Sequence, residues 1–189
     1  MKKFILGLIL GLLIPAAAGY AYFRFGFAPV ATDARPMPFE KQMARMALHA
    51  RIEKEASQQS PIQPTEPNLT EGAHIYVDNC AMCHGWPGEK STPVANGMFP
   101  KPPQLFVHTV TDDPVGETYW KVSNGIRMSG MPAFSKDLTE TQRWQVSEML
   151  ANADKLPETT KGALAKPPAT SAPAENQAPQ QQAPARKKR

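Results

Sequence analysis

The stretch Cys80-Ala81-Met82-Cys83-His84 decides how the chain is read. Its pattern, C-x-x-C-H, is the attachment site of c-type haem. The spacing follows from the chemistry. Each thiol adds to one vinyl group of the porphyrin, and two intervening residues let both sulfurs reach one macrocycle from a single helical turn. The adjacent histidine then projects beneath the ring and ligates iron. These are the only two cysteines in 189 residues. A structural zinc site needs about four protein ligands, and a four-thiolate iron–sulfur cluster needs more cysteines than the chain has. A redox dithiol belongs in a βαβ setting, whereas the flanks here read as helical. One covalently bound haem c is the expected cofactor, with Cys80, Cys83 and His84 as its first binding residues.

Upstream, Thr70 is expected to cap a helix starting at Glu71. Gly72, Tyr76, Cys80 and Cys83 then share one side, and Gly72 leaves room for another helix to approach closely. Downstream, an electron-transferring iron needs a sixth ligand, and a methionine opposite histidine raises the reduction potential. Of nine methionines, Met131 is the best placed. It lies between a permissive Gly130 and a φ-fixing Pro132, in a loop able to hold a side chain at one point. Met128 is the main competitor. Met98, His108 or no protein ligand are the other options, and Met82 lies inside the attachment turn itself.

Taken together these residues resemble class I cytochrome c, of the bacterial monohaem type, membrane-anchored. The resemblance covers residues 67–157. It rests on the helix ending in Cys80-Ala81-Met82-Cys83-His84-Gly85, on Pro103-Gln104-Leu105, on Asn124-Gly125-Ile126, on Gly130-Met131-Pro132-Ala133-Phe134, and on a last helix carrying Trp144. It implies an all-α fold of helices wrapped around the haem, with one haem edge exposed for electron exchange. It also implies that the Pro103 carbonyl accepts a hydrogen bond from the His84 ring and that Leu105 packs on the haem face. Residues 86–101 are longer than in short members of the family, and their role stays open. Trp120, in a short helix over Gly116–Val122, reads either as core or as a donor to a haem propionate. Thr139 and Gln142 form a capping box for the last helix. Its Val146, Met149 and Leu150 share one face, with Trp144 and Ala151 on another. His49 and His74 receive no role.

Outside this domain the chain changes character. Residues 1–27 begin with Met1-Lys2-Lys3, followed by an uncharged apolar run from Phe4 to Phe23. Twenty helical residues match a hydrocarbon core of roughly 30 Å. The lysines favour a cytoplasmic N-terminus, and Tyr20, Tyr22, Phe23, Phe25 and Phe27 form an aromatic belt at the far interface. Ala16-Ala17-Ala18 keeps a cleaved signal peptide open as a second reading. Either way the rest of the chain is exported: a bacterial inner-membrane protein with its haem domain in the periplasm, or a soluble periplasmic one. Residues 28–66 form a connector with an amphipathic helix over 38–56, whose apolar stripe is Phe39, Met43, Met46, Ala47 and Ala50. Three settings stand for that stripe: packed on the main domain, laid on the membrane surface, or docked on a partner. Residues 158–189 are rich in Ala, Pro and Gln, contain one large aliphatic, Leu164, and read as a disordered basic tail.

Charge follows the same division. Residues 1–66 hold 8 Lys/Arg against 5 Asp/Glu, residues 67–157 hold 7 against 10, and residues 158–189 hold 6 against 2. The net +4 of the chain thus comes from its ends. A nucleic-acid-binding domain would carry its positive charge on the folded part, so that class is set aside. The sequence reads as an electron carrier rather than an enzyme, shuttling single electrons at the membrane with redox proteins as partners. The alternatives are a haem subunit of an exported dehydrogenase or terminal oxidase, and a five-coordinate haem enzyme or gas sensor.

Overall fold

The computed structural model describes residues 1–56, 59–106, 111 and 113–165. These residues form eight helices and no strand: α1 (Lys2–Arg24), α2 (Glu40–Glu55), α3 (Glu66–Asn79), α4 (Ala81–His84), α5 (Pro93–Asn96), α6 (Val115–Asn124), α7 (Glu140–Ala151) and α8 (Glu158–Ala163).

Helix α1 is long and apolar enough to cross a membrane, and none of its residues is buried against the rest of the chain. At 1.5 Å per residue its 23 residues span about 35 Å. Its charges sit only at the ends, at Lys2, Lys3 and Arg24.

The centre of the fold is the crossing of α3 and α7. Gly72 makes it: a Cβ there would meet the Gln145 carbonyl oxygen, and would come within 2.8 Å of the Met149 Cβ. Around this point Leu69, Ala73, Ile75 and Tyr76 of α3 pack with Val146, Met149 and Leu150 of α7 in one buried cluster. The capping box of α7 forms as expected, with Thr139 Oγ1 accepting from Gln142 N–H and Gln142 Oε1 from Thr139 N–H at 2.9 Å. The other face of α7 meets α6, where the Trp144 ring lies flat on Tyr119 at 3.8 Å. Helix α7 is therefore apolar on two sides because it is wedged between two neighbours.

Three expectations are corrected. Helix α3 starts at Glu66 with Thr65 as its N-cap, not at Glu71. Pro67 falls in its first turn, where a missing N–H costs nothing. Thr70, expected as the cap, instead shares a 2.8 Å hydrogen bond with the Thr160 hydroxyl. The folded domain also continues past 157. Residues 158–163 are α8, Thr160 is fully buried, and Leu164 is 1% exposed within the main cluster. Thr159 donates to Glu66 Oε1 at 2.6 Å. The composition of the whole tail hid this, because one aliphatic suffices to seat a single turn on a folded neighbour. The reading of residues 166–189 as disordered lies outside the described residues.

The third correction concerns α2. It does pack on the domain, but through the face opposite the expected stripe. Ile52 is 2% exposed, Leu48 is half-buried, and Glu55 accepts from the Trp120 indole. At 100° per residue these lie on the far side of the helix from Phe39, Met43 and Met46, which are 72%, 62% and 64% exposed. The stripe reading left out Leu48 and Ile52, the two largest aliphatics of the helix.

Candidate functional site

The attachment sequence is built into a tight helical junction. Cys80 caps the end of α3 and the start of α4. Its carbonyl accepts from both Cys83 N–H at 3.1 Å and His84 N–H at 2.9 Å. Both thiols are free and half-buried. The chain leaves through Gly85, whose φ of +80° favours glycine. Two side chains lock this exit. The fully buried Tyr76 hydroxyl donates to the Gly85 carbonyl at 2.7 Å. The buried Gln104 donates through Nε2 to the Cys83 carbonyl at 3.3 Å, while its Oε1 occupies the place a Cβ on residue 85 would need. The lock formed by Gln104 was not legible beforehand, since nothing in a lone glutamine marks it as a clamp.

His84 Nδ1 lies 2.8 Å from the Pro103 carbonyl oxygen. A carbonyl only accepts, so Nδ1 carries the hydrogen and Nε2 keeps its lone pair. Burial lowers the His84 pKa, and the Pro103 bond opposes this only in part. The net of these two effects favours the neutral ring, whose Nε2 lone pair is available to a ligand. Burial is also the main cause that pushes the Cys80 thiol up to about 12, with Cys83 adding to it.

The second half of the site is the loop after α6. Gly125, at φ +64°, packs so closely on the returning strand of chain that a Cβ would come within 2.6 Å of the Pro132 carbonyl carbon and 2.8 Å of Met131 O. Both backbone groups of Met131 are held. Its carbonyl accepts from Ile126 N–H at 3.1 Å, and its N–H donates to Ser129 Oγ at 3.2 Å. Ser129 in turn donates to Ile126 O at 2.7 Å. Met131 packs against the main cluster with Cys80, Leu105, Phe106 and Phe134. Met128 takes a left-handed φ of 59° and is 91% exposed. Met82 is exposed too, as are His49 and His74. His108 lies outside the described residues.

Two further points bear on the sequence reading. The Trp120 indole N–H donates to Glu55 Oε2 at 3.2 Å, so the donor offered to a haem propionate is engaged by α2. Residues 86–101 form a bridge between the two halves of the site. Their helix α5 packs beside α4, and the Met98 methyl sits where a Cβ on Gly130, next to Met131, would be.

Two free thiols on one turn, an imidazole with one nitrogen committed and one available, and the partly buried Met131, Leu105, Phe106 and Phe134 packed on the same cluster as Cys80 together fit a covalent haem c. Residues 67–150 match the family model described as cytochrome C oxidase, cbb3-type, subunit III. Among solved structures, a reducing HAO-like protein complex of Kuenenia stuttgartiensis is similar at 24% identity and a TM-score of 0.42, over 51% of this chain and 48% of that one. The chain thus spans about half the length of that relative. No curated protein matches the sequence.

Proposed function

Residues 67–150 are a cytochrome c domain, and from that premise we propose that the protein carries a single haem ligated by His84 and Met131 and passes electrons at the periplasmic face of the membrane. Cys80 and Cys83 would hold the haem through thioether bonds. When bound, haem c supplies an iron centre that changes its charge by one electron. The observation that carries the reading is the His84–Pro103 hydrogen bond beside the cysteine turn. It fixes the tautomer and the ring plane, leaving Nε2 as the ligating atom. Met131 is favoured over Met128 because its backbone is held at both ends and its side chain faces the cluster, whereas Met128 faces solvent. Pro103 acts as the orienting acceptor, and Leu105 contributes apolar surface beside the thiols.

With His84 and Met131 both holding it, the iron would have no open position, and the role would be electron carriage and not activation of a small molecule. Carbon monoxide tests this. The untreated ferrous protein is expected not to bind it rapidly, and Met131→Ala is expected to bind it with a shifted Soret band. Rapid binding by the unaltered protein would instead place it with five-coordinate haem enzymes or gas sensors. In this reading α1 is the anchor that keeps the domain at the bilayer, with residues 1–27 as the membrane unit and residues 28–66 as the connector. Mass spectrometry of the membrane fraction distinguishes it from a cleaved signal peptide.

A second reading is a haem subunit docked in a larger oxidoreductase. The matched family model favours it, since its description is of an oxidase subunit. Recovery of a stoichiometric complex from detergent extract supports this reading, and recovery of the cytochrome alone supports the free carrier.

A further inference from the structure

Helix α2 is apolar on two opposite faces, and among the described residues only one of them has a protein neighbour. Its inner face is fastened at both ends. At its start the Lys41 ammonium sits 5.6 Å from the Phe99 ring centroid. At its end Glu55 holds the Trp120 indole, and Ile52 is buried between them. The outer face carries Phe39, Met43 and Met46, with Ala47 and Ala50 beside them and the charged Glu53 and Lys54 at its C-terminal end. Phe39 stands at the helix N-terminus with a left-handed φ of 62°, a conformation that a bulky residue rarely adopts.

The position of α2 indicates what covers that face. The end of α1 is surrounded by an exposed aromatic group, in which the Tyr22 ring meets Phe23 at 5.5 Å and Phe27 at 6.5 Å. Only residues 25–39 separate α1 from α2, at most about 50 Å if fully extended, and turns at Ala31–Ala34 and Met37–Glu40 shorten them. Moreover, Pro29, Ala31, Arg35 and Glu40 share one shallow pocket with Phe99, the same ring that Lys41 covers. The connector leaving the apolar helix and the first turn of α2 are thus seated on one spot of the haem domain.

We propose that the outer face of α2 lies in the headgroup region of the bilayer, so that α2 is sandwiched between lipid and the haem domain. In this arrangement Phe39, Met43 and Met46 would add to the lipid-facing surface that α1 presents. Interfacial helices bind with such an apolar face immersed and their polar side turned away. Here the turned-away side is the one that grips the domain. The consequence is orientational: α1 alone would let the haem domain swing, whereas α2 holds one side of it against the membrane.

The inference rests on the reading of α1 as an anchor, and the test separates the two. Full-length haem-loaded protein is reconstituted into phosphatidylethanolamine–phosphatidylglycerol vesicles. Flotation with the vesicles checks α1. Spin labels are then placed through Met43→Cys, Met46→Cys and Ala44→Cys, all exposed positions. The expected result is a severalfold higher ratio of oxygen to nickel-chelate collisions at 43 and 46 than at 44. Equal, water-like ratios at all three positions in floated protein overturn the proposal and point to a protein partner for the stripe. A second measurement is linear dichroism of the Soret band in aligned vesicles. It should be lost in Phe39→Ser/Met43→Ser/Met46→Ser while the band itself is unchanged. Dichroism equal to that of the unaltered protein overturns the proposal as well.

Discussion

Single residues around the cysteine turn carry more of the geometry than their types announce. The Tyr76 hydroxyl is buried and donates to Gly85, which terminates the turn bearing His84. Tyr76→Phe leaves that carbonyl without its partner, and the expected cost is about 1–3 kcal/mol, read by denaturant unfolding of the haem-loaded protein at pH 7. The effect should depend on pH. Burial, with smaller contributions from Cys80 and Glu89, raises the Tyr76 pKa far above that of a free phenol. A raised folded pKa gives stability that is complete below pH 10 and lost as pH climbs above it, because the unfolded phenol then ionises and the folded one does not. Phenylalanine has no such term. The difference between wild type and Tyr76→Phe should therefore shrink above pH 10; a constant difference would show that the hydroxyl is not buried as described. At the other end of the site, Gly130→Ala drives a methyl into Met98. A methionine side chain can yield, so the fold should survive. If Met131 ligates the iron as proposed, the expected change is in the spectrum, as a perturbed methionine–iron charge-transfer band, with a loss of stability of no more than about 1–3 kcal/mol.

At the scale of helices, close approach decides which substitutions the fold tolerates. Gly72 faces backbone across the α3–α7 crossing, and backbone cannot rotate away. Gly72→Ala should cost about 1–3 kcal/mol in spite of alanine's better helix propensity. Gly162, in α8, has open space where its Cβ would go. Gly162→Ala should gain up to about 1 kcal/mol from propensity alone. Thermal unfolding of the pair checks both signs, and equal shifts would refute the packing argument. The same contrast explains what was legible in the sequence. Gly72 as a crossing point, the α7 capping box and the attachment turn follow from local patterns with a single physical reading. The start of α3 was displaced because a proline in a first turn looks like a linker residue. The inner face of α2 was missed because periodicity finds apolar stripes and does not say which of two will meet the core. The clamp by Gln104 and the Met98–Gly130 contact join residues far apart in sequence, and no local pattern encodes them.

For the molecule as a whole, the functional question is how an apolar N-terminal helix and a haem domain are coupled. The net charge sits at the ends and the haem domain is mildly acidic, so the two parts differ in both hydropathy and charge. Among the described residues, α2 is the helix that touches the domain from outside it, through Ile52, Lys41 and Glu55. Ile52 is the only one of these with its bulk removed from water. Its truncation is suited to separating coupling from haem binding, since Ile52 is not a member of the main buried cluster that Met131 and Cys80 pack against. Ile52→Ala should cost about 2–5 kcal/mol locally, by lost burial and the cavity left behind. Because α2 contributes nothing to the main buried cluster, that loss should appear as detachment of one helix and not as global unfolding. Hydrogen exchange measures it directly. Amides over residues 43–55 should exchange at least tenfold faster, while those of α3 and α7 and the Soret spectrum stay as they were. Faster exchange in α3 as well would mean that α2 is part of the domain core, and the division between tether and haem carrier would have to be redrawn.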